Sequence, residues 1–267
     1  MPQKITNGMN TLVNQVIALS KEVGDYILQE SIRFDISAIQ KKGFNDLVSY
    51  VDKQAEQKLV KSLKEYLPES GFIAEEGTST YKGEEYNWIV DPLDGTTNFI
   101  HGLPVYAISI ALMQGHEIVL GVVYEINRQE CFYSVKGEKA FCNEQEIKIS
   151  PISKLEDSLL ATGFPYYNFD EMDKYLKILN QFMQTTHGLR RMGSAAVDLA
   201  YVACGRFEGF FEYNLNAWDV AAGAFIVQQA GGTVSDFSGG KDFIFGRQIV
   251  AASSIHQQMI NSIQRFW

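Results

Sequence analysis

Two carboxylates three residues apart, Asp91 and Asp94, follow an apolar segment of the chain. Tyr86 to Val90 predicts a buried strand, and Pro92 lacks the N–H group that would continue its hydrogen-bond ladder. The string Asp94-Gly-Thr-Thr97 then predicts a tight turn that opens a short helix. Carboxylate oxygens bind hard divalent cations, and free N–H groups at a helix start face anions. This stretch can therefore hold a metal ion beside a phosphate, although an Asp before Gly is more often an ordinary turn residue.

Acids also stand at the ends of two other predicted elements. Residues 72–76 predict a short strand that ends in Glu75 and Glu76. Because neighbouring side chains point to opposite faces of a strand, only one of the two can readily face a given site. Asp219 lies three residues after Asn216, at the start of a helix predicted over 216–229. Taken alone, Asp219 is equally well explained as a capping acid, and the glutamates as a solvated turn.

Hydrophobic spacing predicts the elements that must position these acids. Apolar residues at intervals of three and four predict amphipathic helices from Ile5 to Ile27 and from Val51 to Leu67. Apolar segments between Tyr106 and Cys142 predict an antiparallel meander. We therefore expect an N-terminal α+β region, residues 1–150, and a C-terminal α/β region, residues 151–267, that form one compact unit.

In the C-terminal region strands and helices alternate. Tyr167 to Met183 fits a helix, and Gly193-Ser194 leads into a second, apolar helix that runs to Ala203. Amides at that second helix start could face an anion or a sugar hydroxyl. A Gly-Ser pair in this position is, however, more often a simple helix cap.

The composition is globular and argues against several classes of protein. Hydrophobic residues make up 46% of the chain and charged residues 21%, and no apolar run approaches the roughly 20 residues of a membrane span. The first residues show no signal peptide, so we expect a cytoplasmic protein. Three cysteines without C-x-x-C spacing argue against a disulfide framework or a zinc site. A net charge of −9 without a basic run argues against nucleic acid as a partner, and we expect no membrane partner.

Three strings occur in order along the chain: Glu75-Glu76-Gly77, Asp91-Pro-Leu-Asp-Gly-Thr-Thr-Asn98 and Trp218-Asp-Val-Ala-Ala-Gly223. Together they resemble the signatures of the inositol monophosphatase family of magnesium-dependent, lithium-sensitive phosphatases. The resemblance spans nearly the whole chain. It implies an α/β (layered α+β) fold, a five-layer αβαβα sandwich like that of fructose-bisphosphatase and inositol monophosphatase, usually in a homodimer.

The same resemblance implies a role for each candidate residue. Two or three Mg²⁺ ions would be held by the side chains of Glu75, Asp91, Asp94 and Asp219 and by the carbonyl of Leu93. Glu75 and Thr96 would orient a metal-bound water that attacks the phosphorus directly. Asp46 would support the metal ligands without touching the first two ions, or would bind a weaker third ion. The phosphate and the organic half of the substrate would be bound by Asp94, Gly95, Thr96, Gly193, Ser194, Ala195, Glu212 and Asp219.

The implied activity is the hydrolysis of inositol 1-phosphate, with alternatives on the same scaffold. Hydrolysis of 3′-phosphoadenosine 5′-phosphate or fructose 1,6-bisphosphate would call for a basic residue near the pocket, for which Arg190 and Arg191 are candidates. Asn216 stands where several relatives have histidine, which leaves the leaving-group preference open. A regulatory binding protein is the non-enzymatic alternative, and lost ligands would signal it.

Overall fold

The structure, a computed structural model, describes residues 2–34, 40–41, 47–79, 81–166 and 168–267. Within these ranges the chain forms seven α-helices: α1 (Pro2–Arg33), α2 (Tyr50–Tyr66), α3 (Thr96–Ile100), α4 (Met172–Thr185), α5 (Ala195–Ala203), α6 (Ala217–Gln229) and α7 (His256–Ile263). None of these helices combines the length and the apolar character needed to span a membrane.

A seven-stranded sheet occupies the first half of the chain. Its strands are β3 (Gly71–Ala74), β4 (Tyr86–Asp94), β5 (Ala107–Gln114), β6 (Glu117–Glu125), β7 (Glu130–Val135), β8 (Phe141–Cys142) and β9 (Gln145–Glu146), in that order. Strands β3 and β4 are parallel and every later pair is antiparallel, so the predicted meander is present. Two short strands before α2, β1 (Gln40–Lys41) and β2 (Leu47–Val48), pair separately and antiparallel.

A five-stranded sheet follows in the second half. Its strands are β10 (Leu159–Thr162), β11 (Gly188–Arg190), β12 (Gly209–Tyr213), β13 (Thr233–Ser235) and β14 (Gln248–Ala252). They lie in the order β11-β10-β12-β14-β13. Strand β10 runs parallel to both of its neighbours, and the remaining pairs are antiparallel.

Three apolar clusters bind the two sheets and the helices into layers. Helices α1 and α2 pack on one face of the larger sheet, where Val16, Leu59 and Trp88 belong to one buried cluster. Helices α5 and α6 fill the space between the sheets, and α4 and α7 cover the outer face of the smaller sheet. Burial of each large apolar side chain contributes about 1.5–3 kcal/mol, so these clusters supply the main stabilisation. The predicted five-layer αβαβα sandwich is confirmed.

Strand β4 differs from the prediction at Pro92. The strand does not end there but continues to Asp94, and its register with β5 shifts between the pairs Asp91–Ser109 and Asp94–Ala107. Two residues of β4 thus lie opposite one residue of β5, which is a bulge, and a bulged residue needs no ladder hydrogen bond. The expectation that Pro92 stops the ladder was wrong because the bulge accommodates the proline.

Helix α4 also begins later than predicted. Tyr167, the predicted first residue, lies outside the described residues, and the helix starts at Met172. The Asn168 side chain accepts a hydrogen bond of 3.0 Å from the Asp170 amide, which holds a turn ahead of the helix. Asn side chains form such local turns in competition with helical hydrogen bonds.

Candidate functional site

A cleft of about 290 Å³ opens where β4 ends and where helices α3, α5 and α6 begin. The N-terminal ends of helices carry partial positive charge and suit anionic ligands. Among the described residues, the charged side chains that line the cleft are Glu75, Asp91, Asp94, Arg191, Asp198, Glu212 and Asp219. One cation therefore faces six acids, which makes the cleft strongly electronegative without bound cations.

Three of the predicted metal ligands converge inside this cleft. Asp91, Asp94 and Asp219 each offer an oxygen, and these oxygens lie within 4.8 Å of one another. The bulge in β4 brings the first two to the same place, and the first turn of α6 supplies the third. Two unit charges 4 Å apart repel by about 4 kcal/mol at an effective dielectric near 20, so three such carboxylates cannot readily all be ionised without a counter-cation.

Burial determines the protonation of Asp91. Its side chain is 2% exposed, and its Oδ1 accepts a hydrogen bond of 2.8 Å from the Leu93 amide. Burial raises the pKa of Asp91 well above its usual range, and the charges of Glu75, Asp94 and Asp219 raise it further.

Asp94 links β4 to the start of α5. Its Oδ2 accepts hydrogen bonds from the Ser194 hydroxyl at 2.6 Å and from the Ala196 amide at 2.7 Å. Burial raises the pKa of Asp94 to about 6, although these two hydrogen bonds and the charge of Arg191 act in the opposite direction. The predicted substrate residue Ser194 therefore also holds a predicted metal ligand in place.

Asp219 caps a helix and also lies among the clustered acids of the cleft. Its Oδ2 accepts a hydrogen bond of 2.6 Å from the Asn216 amide in a capping box at the start of α6. The same side chain belongs to the acidic cluster. Burial and then the charge of Asp94 raise the pKa of Asp219 to about 7, against the opposing effect of the Asn216 amide.

Glu75 follows β3 and lines the same cleft, and its charge contributes to the raised pKa of Asp91. The turn that carries it is held by Glu56 of α2, a fully buried carboxylate. The Glu56 oxygens accept hydrogen bonds of 2.7 Å from the amides of Glu76 and Thr78. Sequence reasoning missed Glu56, although its position beside Ala55 on the buried stripe of α2 was a signal for an inward-facing acid.

Thr96 hydrogen-bonds to a second acid that the sequence analysis did not single out. Its hydroxyl donates to Asp52 Oδ1 at 2.9 Å and lies 3.1 Å from the Leu93 carbonyl oxygen. Asp52 is 1% exposed, and its Oδ2 accepts from the amide and the hydroxyl of Ser49 at the start of α2. Burial raises the pKa of Asp52. The Ser-x-x-Asp capping pattern was the available signal, whereas Asp46, predicted to act here, lies outside the described residues.

Two glycines, one before α3 and one before α5, let these two segments of the cleft approach each other. Gly95 and Gly193 have φ angles of +102° and +90°, in the region that favours glycine. A Cβ at Gly193 would lie 2.9 Å from the side-chain nitrogen of Asn98. That nitrogen donates to the carbonyls of Val105 and Met192 at 2.7 and 2.8 Å, which ties α3 to the segment before α5.

The predicted substrate residues face the same space. Gly95, Gly193, Ser194, Ala195 and Glu212 all line the cleft. Burial raises the pKa of Glu212 well above its usual range. A Cβ at Gly163 would lie 2.1 Å from Glu212 Oε2, so glycine at that position leaves room for the carboxylate.

Of the two arginines predicted near the pocket, Arg191 lines the cleft and Arg190 does not. Arg191 lines the cleft, where its Nη2 donates to the Tyr166 hydroxyl at 2.9 Å and its guanidinium lies 5.9 Å from the ring centres of Phe164 and Tyr166. Arg190 is exposed outside the cleft and donates to the Leu189 carbonyl at 3.0 Å. Apart from Arg190, every predicted site residue that the structure describes lines one cleft, which also contains Asp198 and Asn214, two residues that sequence reasoning missed.

Comparison with known proteins agrees with this architecture. The inositol monophosphatase family model matches residues 9–266. A putative Nus factor SuhB of Neisseria meningitidis serogroup B is 43% identical over 257 residues, which cover 96% of this chain and 98% of that protein. An inositol-1-monophosphatase of Mesorhizobium japonicum is 37% identical over 252 residues, 94% of this chain and 95% of that one.

Solved structures show the same likeness. The crystal structure of the extragenic suppressor protein suhB from Bartonella henselae aligns with a TM-score of 0.90 at 37% identity, covering 96% of this chain and 99% of that chain. The family match extends over nearly all of the chain and includes each element that lines the cleft. The chain belongs to the inositol monophosphatase family.

Proposed function

We propose that the protein is a magnesium-dependent phosphomonoesterase that hydrolyses inositol 1-phosphate to inositol and phosphate. The observation that carries this proposal is the convergence of Asp91, Asp94 and Asp219 within 4.8 Å in one cleft. Glu75, the fourth proposed side-chain ligand, lines the same cleft. A regulatory protein that had given up catalysis would be expected to lose such ligands, and this chain retains all four.

The donor set fits hard divalent cations. It consists of carboxylate oxygens, together with the proposed carbonyl of Leu93, and such oxygen-rich sites suit Mg²⁺ better than zinc. Burial and mutual repulsion leave the carboxylates of the cluster poorly stabilised as anions, and two or three cations would relieve that repulsion. Bound Mg²⁺ would activate a water molecule and neutralise the charge that develops on the leaving oxygen.

Thr96 and Glu75 would orient the attacking water. The Thr96 hydroxyl donates its hydrogen to Asp52, so its lone pairs can accept a hydrogen bond from a water in the cleft. Glu75 would then accept the proton that the water loses. Asp46, which lies outside the described residues, remains a proposed contributor to this step.

The remaining cleft residues would bind the substrate itself. The amides of Gly95 and Thr96 would hold the phosphate oxygens, as free amides at helix starts commonly do. Gly193, Ser194, Ala195 and Glu212 would contact the organic half, together with Asp94 and Asp219. Glu212 can accept hydrogen bonds from two hydroxyl groups of an inositol ring.

A second candidate is a substrate with an additional anionic group, such as 3′-phosphoadenosine 5′-phosphate or fructose 1,6-bisphosphate. Arg191 favours it because its guanidinium lines the cleft. Burial raises the pKa values of Asp94, Asp198 and Glu212, and the Arg191 charge acts against that effect, so the guanidinium already interacts with three acids of the protein. The monoester of an uncharged polyol therefore remains the first candidate.

A further binding role is compatible with the phosphatase role. The relative from Neisseria meningitidis carries the name putative Nus factor SuhB, and this chain would have that role only if it shared the surface through which a Nus factor binds its partners. The homodimer implied by the family resemblance is likewise part of the proposal. Light scattering of the purified protein would give its mass in solution, with a dimer expected.

The direct test is phosphate release by the purified protein with Mg²⁺. Inositol 1-phosphate, the two bisphosphates and phenyl phosphate would be compared, with chelator as the blank. We expect magnesium-dependent release that is fastest from inositol 1-phosphate and that lithium inhibits uncompetitively. Absence of release from every monoester at saturating Mg²⁺ would refute the proposed function, and a preference for a bisphosphate would select the second candidate.

A further inference from the structure

Asp198 is a buried acid that the proposed chemistry does not use. It lies in the first turn of α5, is 1% exposed and lines the cleft. Its Oδ1 is buried and has no hydrogen-bond partner among the described residues. Buried polar atoms in folded proteins are nearly always paired, so an unpaired one beside a cleft calls for an explanation.

The surroundings of Asp198 suggest what the unpaired atom would bind. Glu212 lies close enough for its charge to raise the pKa of Asp198, in addition to the larger effect of burial. A carboxylate can accept a hydrogen bond, and a protonated carboxyl group can both donate and accept one, so the unpaired oxygen suits a hydroxyl group in either form.

A second residue that lines the cleft also has an unpaired polar atom. The Nδ2 of Asn214 is buried without a partner among the described residues. Arg247 fixes the orientation of this amide, because its Nη2 and Nε donate to Asn214 Oδ1 at 2.7 and 3.2 Å. Asn214 and Arg247 both have positive φ angles, +68° and +63°, and are further joined through their backbones by a hydrogen bond of 2.6 Å. Backbone strain of this kind clusters at functional sites.

We propose that Asp198 and Asn214 complete, together with Glu212, a subsite for the hydroxyl groups of a polyhydroxylated leaving group. The inference rests on the proposed phosphatase function and adds two residues that would determine the specificity of its site. Hydroxyl groups both donate and accept hydrogen bonds, so a polyol can satisfy a carboxyl group and an amide N–H at once. A leaving group without hydroxyls would leave these atoms unpaired, and sites built for hydroxyl groups discriminate strongly against such analogues.

A purely structural role for Asp198 makes the opposite prediction for stability. An acid in the first turn of a helix can stabilise the helix through its dipole. In that case replacement by an apolar residue of similar size would lower the melting temperature and would not distinguish between substrates. In a binding role, the same replacement removes an unpaired buried group and should maintain or raise the melting temperature while selectivity is lost.

The experiment compares Asp198→Leu and Asp198→Asn with Asp173→Asn, a first-turn acid of α4 on the outer layer. Each protein is assayed with Mg²⁺ on inositol 1-phosphate and on phenyl phosphate, which has no hydroxyl groups. We expect Asp198→Leu to raise KM for inositol 1-phosphate about tenfold or more, with kcat/KM for phenyl phosphate within about twofold of wild type. Asp198→Asn should show a smaller rise, and the control none.

Binding of myo-inositol, measured by calorimetry with Mg²⁺ and inorganic phosphate present, separates this inference from the proposed function. If the wild type binds inositol but hydrolyses no monoester, and Asp198→Leu loses that binding, the function is wrong and the subsite stands. If the wild type hydrolyses both substrates and Asp198→Leu changes both equally or neither, the subsite is wrong and the function stands. Absence of both turnover and inositol binding contradicts both.

Discussion

At the scale of single residues, the acidic cluster is defined by burial rather than by surface charge. Asp91 is deeply buried, and the pKa values of Asp94 and Asp219 are raised to about 6 and 7. In each case burial is the largest cause, with neighbouring carboxylates adding to it for Asp91 and Asp219. Acids with perturbed pKa values often cluster at functional sites, which makes this cleft the candidate site.

Asp94→Asn should abolish activity and preserve the fold. Asparagine keeps an oxygen for the Ser194 hydroxyl and the Ala196 amide but removes the charge that would bind a cation. We expect kcat to fall by about 10²-fold or more, while the metal-free melting temperature is unchanged or higher because repulsion is reduced. Phosphate release and thermal unfolding measure the two effects, and near-normal turnover would show that the ligand assignment is wrong.

Replacement of Thr96 tests whether its hydroxyl group orients the attacking water. Thr96→Val keeps the shape but removes the group that donates to Asp52, whereas Thr96→Ser keeps the hydroxyl. We expect the valine variant to lose about 10²-fold in kcat with little change in KM, as loss of a proton-handling group would cause. The serine variant should retain most of the activity. Equal rates for the valine variant and the wild type would exclude this role.

At the scale of elements, the site depends on where helices begin and strands end. The bulge in β4 places Asp91 and Asp94 beside each other, and the first turns of α5 and α6 bring partners and a third acid. Helix α2, which packs on the far side of the sheet, contributes Asp52 and Glu56 as buried acceptors that hold Thr96 and the turn after Glu75. Residues in two layers of the sandwich, the larger sheet and the helix layer beside it, thus hold the cleft residues in place.

Glu56→Ala tests whether α2 holds the Glu75 turn. The variant leaves the amides of Glu76 and Thr78 without their buried acceptor, and loss of hydrogen bonds to a charged group costs about 1.5–3 kcal/mol each. We expect a lower melting temperature and, in the protein that remains folded, weaker Mg²⁺ activation because Glu75 is less well placed. Exchange of Glu65, a more exposed glutamate of the same helix, for alanine is the control. Unchanged Mg²⁺ activation in a folded Glu56→Ala protein would contradict this account of the turn.

At the scale of the whole molecule, stability should depend on pH and Mg²⁺ together. The pKa values of Asp94 and Asp219 in the folded protein exceed the value of about 3.9 typical of an unfolded chain. Between about pH 4 and 7 the folded state therefore binds more protons than the unfolded state, and the free energy of unfolding falls as pH rises. These groups stabilise the metal-free fold least above pH 7.

Saturating Mg²⁺ should reverse that trend. Cations compete with protons for the same oxygens, so the stabilisation by Mg²⁺ should be larger at pH 8 than at pH 5.5. A ligand at 100 times its Kd stabilises by about 2.7 kcal/mol, which corresponds to roughly 5–10 °C for a chain of this size. Melting curves with Mg²⁺ or chelator at both pH values measure this, and Asp219→Asn should flatten the dependence. An effect of Mg²⁺ that is the same at both pH values would contradict the raised pKa values.

Much of this fold follows from the sequence alone. The four- and three-residue spacing of Met9, Val13 and Val16 predicts α1, and the apolar runs after Tyr106 predict the meander, because both patterns have a local cause. The bulge at Pro92 could not be predicted, since it depends on pairing with β5. The identity of the five-layer sandwich came from the resemblance of three short strings to a family.

Only part of the candidate site could be predicted from the sequence. Asp91, Asp94 and Asp219 stand in recognisable strings, and the structure gathers them. Asp52, Glu56 and Asp198 lie on helices where an acid has many ordinary explanations, and their importance depends on what packs against them. No spacing in a single sequence shows that contact.

The central claim is that Asp91, Asp94 and Asp219 share divalent cations, and the most direct measurement is anomalous diffraction from crystals soaked in Mn²⁺ as a substitute for Mg²⁺. The account predicts an anomalous peak among the three carboxylates, close to Glu75 and the Leu93 carbonyl, that is lost in Asp94→Asn. A wild-type crystal that binds Mn²⁺ only elsewhere, or shows no peak in this cleft, would contradict it.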